Sequence, residues 1–219
     1  MKKMQKTFAI LCCFLVPYFF QACSRTEPSI VFGFINLVYY QDAAGPQERF
    51  TFFILADDDD GIENLDELFL YHDREQLRWH LRNDDWVEFV QEGRTWIGSR
   101  SITVNEGERL PRGQFRAVLV NMSGERAERN FTFDAPEEPR FPFPSLQVND
   151  GYLTVNSLYP VNNLICYDAG GNVLFVMTLE NLSGYIETMG FPAQTWSVAL
   201  WAEDPQFSTS AFTDAVSIR

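Results

Sequence analysis

The chain reads as an all-β protein, two small antiparallel β-sandwiches behind an N-terminal export segment. Three observations predict this. From residue 30 onward apolar residues recur with period two in short runs, the spacing of half-buried strands. Clusters of Gly, Pro, Asn and Asp separate the runs, as turns require. Among 219 residues there are 20 Phe, 8 Tyr and 5 Trp, large side chains that pack well on a pleated surface.

The export segment comes first. Lys2, Lys3 and Lys6 precede the apolar run TFAILCCFLVPYFF, and Ala22 stands before Cys23. A basic start, an apolar stretch and a small residue at the cut make a secretory signal over residues 1–22. The run is shorter than the roughly 20 residues that span a bilayer. FFQAC resembles the lipobox of bacterial lipoproteins, in which the cysteine is lipidated and begins the mature chain. Phe20 and Gln21 depart from the usual Leu and small residue, as in the relaxed boxes of spirochaetes. The resemblance implies lipidation of Cys23 with palmitate-like chains. It also implies a place in the bacterial cell envelope, held to the periplasmic face or the outer membrane through the lipid. Plain secretion, or an uncleaved anchor, is the alternative. Residues 23–29 then form a lipidated cysteine and a polar tether.

Loss of the leader removes every lysine, leaving 14 arginines against 30 acidic residues, a formal charge of −16 where the precursor has −13. That sign repels phosphates, so nucleic acid is not an expected partner. Cys12 and Cys13 leave with the leader and Cys23 is committed to lipid. Cys166 remains alone, with no partner for a disulfide, and reads as a small buried side chain.

The first sandwich is expected over residues 30–135. IVFGFINLVYY is a long strand, and FTFFILA places Phe50, Phe52 and Ile54 on one face and Thr51, Phe53 and Leu55 on the other. WVEFV, TWIGSRSITV, QFRAVLV and RNFTFDA follow, the last two joined by the hairpin signal NMSGER. Residues 62–80 also fit an amphipathic helix, through Ile62, Leu65, Leu68, Phe69 and Leu77. The alternation of LRWHL and the dense apolar run from Leu68 to Tyr71 favour two strands, LFLYH and LRWHL. Four prolines within residues 135–144 exclude a central strand or a helix interior and define a stiff linker over residues 136–144. Beyond it, residues 145–219 form a second and smaller strand set: SLQV, YLTV, NLICYD, NVLFVMTL, TWSVALWAE and DAVSIR. AGGN supplies a hairpin turn in which glycine takes the positive φ. A unit this small is expected to lean on the first or on a partner.

DDDDGIENLDELFLY followed by LPRGQFRAVLVNMSGERAERNFTF resembles the Ig-like and fibronectin type III-like domains of bacterial surface proteins. WSVALWAEDPQFSTSAFTDAVSI is similar to the closing hairpin of a fibronectin-type module. The resemblance implies fold, and adhesion, scaffolding or spacing roles, without choosing among them.

Candidate sites are few. Asp57 to Asp60 before Gly61, with Glu63, Asp66 and Glu67 after, offer hard oxygen ligands of the kind Ca²⁺ takes. Asp58, Asp60 and Glu67 are the candidate ligands, although Ala56 and the strand FTFFIL break the EF-hand pattern. The competing expectation is a solvated turn whose aspartates all stay exposed. His72 and His80 are read as packing or surface residues. Trp79, Trp86, Trp96, Trp196 and Trp201 could make a sugar platform, but large aromatics in a sandwich mostly serve the core. No catalytic constellation is nominated and no cofactor is required. The expected role is a non-catalytic interaction or structural one with another envelope protein, the alternative being a Ca²⁺- or carbohydrate-binding module.

Overall fold

The computed structural model describes residues 26–42, 45–105 and 108–219. The signal segment and Cys23 lie outside the described residues. Among the described residues, all regular structure beyond three single 3-10 turns is β-strand.

The first half holds eight strands. β1 (Ser29–Asp42) and β2 (Gly45–Asp57) form a long hairpin. β3 (Leu65–His72), β4 (Leu77–Arg82), β5 (Val87–Gln91), β6 (Arg94–Ile102), β7 (Gly113–Asn121) and β8 (Arg126–Phe133) follow. They pair as β5-β6-β2-β1 and as β4-β3-β7-β8, the two-sheet strand order of Ig-like sandwiches. Residues 62–80 are strands: β3 and β4 pair antiparallel from Glu67–Arg82 to His72–Leu77. Helix is confined to a 3-10 turn at Ile62–Asn64. Cross-strand packing that buries Leu65, Leu68 and Leu70 outweighs the helical spacing of this stretch.

The two faces of β2 divide as the alternation predicts, and the structure turns Phe50, Phe52 and Ile54 inward, all fully buried. Phe50 meets Phe115 and Phe133 edge-on at 5.5 and 5.1 Å, and Phe52 meets Phe131 at 6.0 Å, which closes one sheet on the other. Each such ring contributes about 1.5–3 kcal/mol by burial. Gly98 lets β6 approach β2 closely, since a Cβ there would lie 2.0 Å from the Phe52 carbonyl oxygen.

The second half adds β9 (Ser145–Asn149), β10 (Tyr152–Asn156), β11 (Val161–Tyr167), β12 (Val173–Thr178), β13 (Ser183–Tyr185), β14 (Ser197–Asp204), β15 (Thr209–Phe212) and β16 (Val216–Ser217). The orders β13-β10-β9 and β12-β11-β14-β15 repeat the Ig-like plan. Gly171 takes φ +80° in the turn between β11 and β12, and Asp168 Oδ1 accepts the N–H groups of Gly170 and Asn172, both at 2.8 Å. Those hydrogen bonds, the Asn172 side chain's foremost, hold the Asp168 carboxyl below its ordinary range. Cys166 is buried, and burial pushes its thiol up.

The halves share a sheet. β1 runs parallel to β15 from Leu37–Thr209 to Tyr40–Phe212, so β5-β6-β2-β1 continues into β15-β14-β11-β12. The expected lean of the smaller unit takes this form. The proline segment is clamped to both halves. Arg109 pairs with Glu138 at 2.9 Å, while Arg140 pairs with the buried Asp204 at 3.0 Å and Phe141 packs on Tyr159.

Candidate functional site

Sharing a sheet exposes its outer face as one surface about 34 Å across at the usual strand spacing. The face holds a groove of about 930 Å³ that reaches from Phe89 on β5 to Val173 and Val176 on β12. On β1 Phe32, Phe34, Asn36, Val38 and Tyr40 alternate on the side away from the core, and Phe32 is 53% exposed. Phe34, Phe53, Phe89 and Trp96 form a linked ring cluster, with centroids 5.1–6.1 Å apart and Phe89 parallel to Trp96. Across the junction a second aromatic row is set by register alone. Tyr40 stands opposite Phe212, and Phe212 opposite Trp201.

Polar groups punctuate this surface. Asn36 Nδ2 donates to Ser210 Oγ at 3.2 Å, joining β1 to β15. Asn163 Nδ2 donates to Glu203 Oε1 at 2.7 Å, and Thr178 Oγ1 donates to Asn163 Oδ1 at 2.7 Å. Burial raises the Glu203 carboxyl above its ordinary value, and that hydrogen bond only partly opposes it. Burial also raises the Tyr167 phenol in the same groove. The Arg49 guanidinium carbon lies 5.2 Å from the Tyr40 ring centroid and 5.8 Å from that of Phe212. A mostly apolar, aromatic-rich concavity with a few fixed polar groups suits binding. Among the described residues Glu203 is the one carboxylate lining it.

The acidic turn corrects the sequence expectation. Asp57, Asp59 and Asp60 are exposed, but Asp58 is only 7% exposed. Its carboxylate accepts the Asp60 backbone N–H at 2.9 Å and the side-chain amides of Asn64 and Asn121, each at 3.2 Å. Asn121 Nδ2 also donates to the Thr26 carbonyl, so this hub fastens the chain where it enters the first strand. A buried carboxylate survives because three N–H groups replace its water. Sequence could not foresee it, since two of the donors lie 6 and 63 residues away. Glu67 points elsewhere and pairs with His80 Nε2 at 2.9 Å. Among the described residues no group of three or more His, Cys, Asp or Glu is placed to hold a metal ion.

The histidines are separated by role. His72 is buried, with Nε2 2.9 Å from the Arg112 carbonyl and Nδ1 accepting the Glu75 N–H, while His80 stacks on Phe69 at 4.4 Å. The tryptophans are not one platform. Trp96 and Trp201 serve opposite ends of the groove region, Trp79 donates to the Thr103 carbonyl, and Trp196 is 47% exposed ahead of β14.

No protein-family model matches the chain, and no curated protein matches it. Among solved structures it is similar to the 47-kilodalton lipoprotein Tp47 of Treponema pallidum, at 11% identity and TM-score 0.43 over 86% of this chain and 50% of that one. It thus spans about half the length of that protein. It is also similar to the N-terminal Ig1-2 module of the Drosophila receptor protein tyrosine phosphatase DLAR, at 12% identity and TM-score 0.40 over 87% of this chain and 97% of that one. A third likeness is to dimeric latent PorU from Porphyromonas gingivalis, at 14% identity and TM-score 0.34 over 88% of this chain and 20% of that one.

Proposed function

We propose that this chain is a lipid-anchored lipoprotein of the bacterial cell envelope with a non-catalytic role, holding a partner protein on the open face of the shared sheet. The observation that carries the reading is that face. A soluble surface rarely leaves rings such as Phe32 and Phe34 beside an apolar groove unless something seats there. The anchor rests on the export segment ending at Cys23. Two or three acyl chains hold a protein stably where one binds only marginally.

Two measurements test the reading. Cys23→Ser should move the protein from the detergent phase to the aqueous phase on partitioning. Cross-linking in intact envelope should then join one protein to the wild type. Phe212→Ser should lose that product, while Arg78→Ser, on the opposite sheet, should keep it. A Cys23→Ser protein that stays with detergent defeats the anchor, and a cross-link indifferent to Phe212 defeats the binding face.

A further inference from the structure

The charges on the open face run against the rest of the molecule. The chain carries 30 acidic residues against 17 basic ones, so carboxylates are plentiful partners for arginine. Arg112 takes Glu48, Arg116 takes Asp73, and Arg140 takes Asp204. Arg49 and Arg100, the two arginines lining the groove, have no carboxylate partner among the described residues. Arg78, Arg94, Arg126, Arg129 and Arg219 also lack one among the described residues, but none of them lines the groove.

Arg49 is held in place all the same. Tyr40 and Phe212 flank its guanidinium, and its Nε is buried without a hydrogen-bond acceptor. A buried unpaired donor is destabilising, and a ligand oxygen would remove that cost. Glu203 cannot do so. Register sets Arg49 opposite Val38, Val38 opposite Ser210, and Ser210 opposite Glu203, three strand spacings or about 14 Å away. Glu203 is besides engaged by Asn163.

Resting on the reading of this face as a partner-binding surface, we propose that it selects an extended acidic peptide segment of that partner. A ligand carboxylate pairs with Arg49, Arg100 adds a second positive charge, and apolar side chains beside the carboxylate seat on Phe34 and Phe212. Charge complementarity chooses the sign. A basic segment would meet repulsion here and attraction over most of the remaining surface, whereas an acidic one finds its favourable potential on this face. The lining favours peptide over acidic glycan, because aliphatic Val38, Ile165, Val173 and Val176 stand among the rings and match apolar side chains better than hydroxyl-rich sugars.

The test uses the mature chain and three probes: a decapeptide alternating Glu with Phe and Val, its Gln counterpart, and polygalacturonate. Binding is read by tryptophan fluorescence and calorimetry. The Glu peptide should bind at least tenfold tighter than the Gln peptide, and the preference should shrink as salt rises. Arg49→Gln should abolish it without lowering the melting temperature, and Arg49→Lys should keep part of it. Equal affinity for the two peptides overturns the charge selection while leaving the binding face standing, provided Phe212→Ser weakens both. Binding of polygalacturonate in preference to the Glu peptide, or no binding of the Glu peptide, overturns the inference outright. The envelope cross-link reports on the broader reading independently.

Discussion

Replacing Asp58 with Asn separates two opposed effects. Four adjacent aspartates repel one another, and removing one charge relieves about 1 kcal/mol per close pair in water. Against that, Asp58 accepts three N–H groups in a nearly closed site. An Asn keeps one oxygen and puts an NH₂ where the other was, donor facing the donor of either Asn64 or Asn121. A hydrogen bond to a charged acceptor contributes about 1.5–3 kcal/mol, and the orphaned buried donor adds a cost of similar size. The loss outweighs the relief by about 2–3 kcal/mol. For a chain of this length that is roughly 5–10 °C in melting temperature. Asp60→Asn, at an exposed position, should fall within about 0.5 kcal/mol of wild type. Thermal and urea unfolding of both variants in chelator would measure the contrast. An Asp58→Asn protein that melts with or above the wild type would refute the hub.

Three further outcomes follow from single contacts. Gly98→Ala puts a methyl against the Phe52 carbonyl and the Phe53 Cα, both backbone, and should cost about 3 kcal/mol in urea unfolding; a neutral result would mean β2 and β6 can part freely. Arg140→Ala strands the Asp204 carboxylate, whose side chain is 3% exposed. It should cost about 3 kcal/mol, and adding Asp204→Asn should recover part of the loss; no recovery would show that the linker's packing and not the ion pair matters. Glu203→Gln tests a titration. Burial raises the folded-state pKa, so the contribution of Glu203 to stability is full below its ordinary value of 4.5 and is lost as pH rises through the raised folded value. The Gln variant should therefore melt above wild type at pH 7 and level with it near pH 4; a variant no more stable at neutral pH would show the carboxylate is well solvated.

Local chemistry was enough for much of this molecule. Period-two alternation placed Phe50, Phe52 and Ile54 on one face, the glycines of NMSGER and AGGN marked their hairpins, and the prolines of residues 135–144 kept regular structure out of the linker, because each acts through its own backbone or its nearest neighbours. IVFGFINLVYY read as one long strand, with nothing to tell which strands lay beside it. That depends on β15, whose Ser210 stands opposite Val38 from 172 residues away, and the parallel pairing of Leu37–Tyr40 with Thr209–Phe212 leaves no turn signal between them. Asp58 shows the limit from the other side. Its composition said solvent, and only the arrival of Asn121 across 63 residues made burial affordable in hydrogen bonds. Strand identity is thus a local property of these residues, whereas the open face, its unpaired Arg49 and the buried hub exist only where distant strands meet.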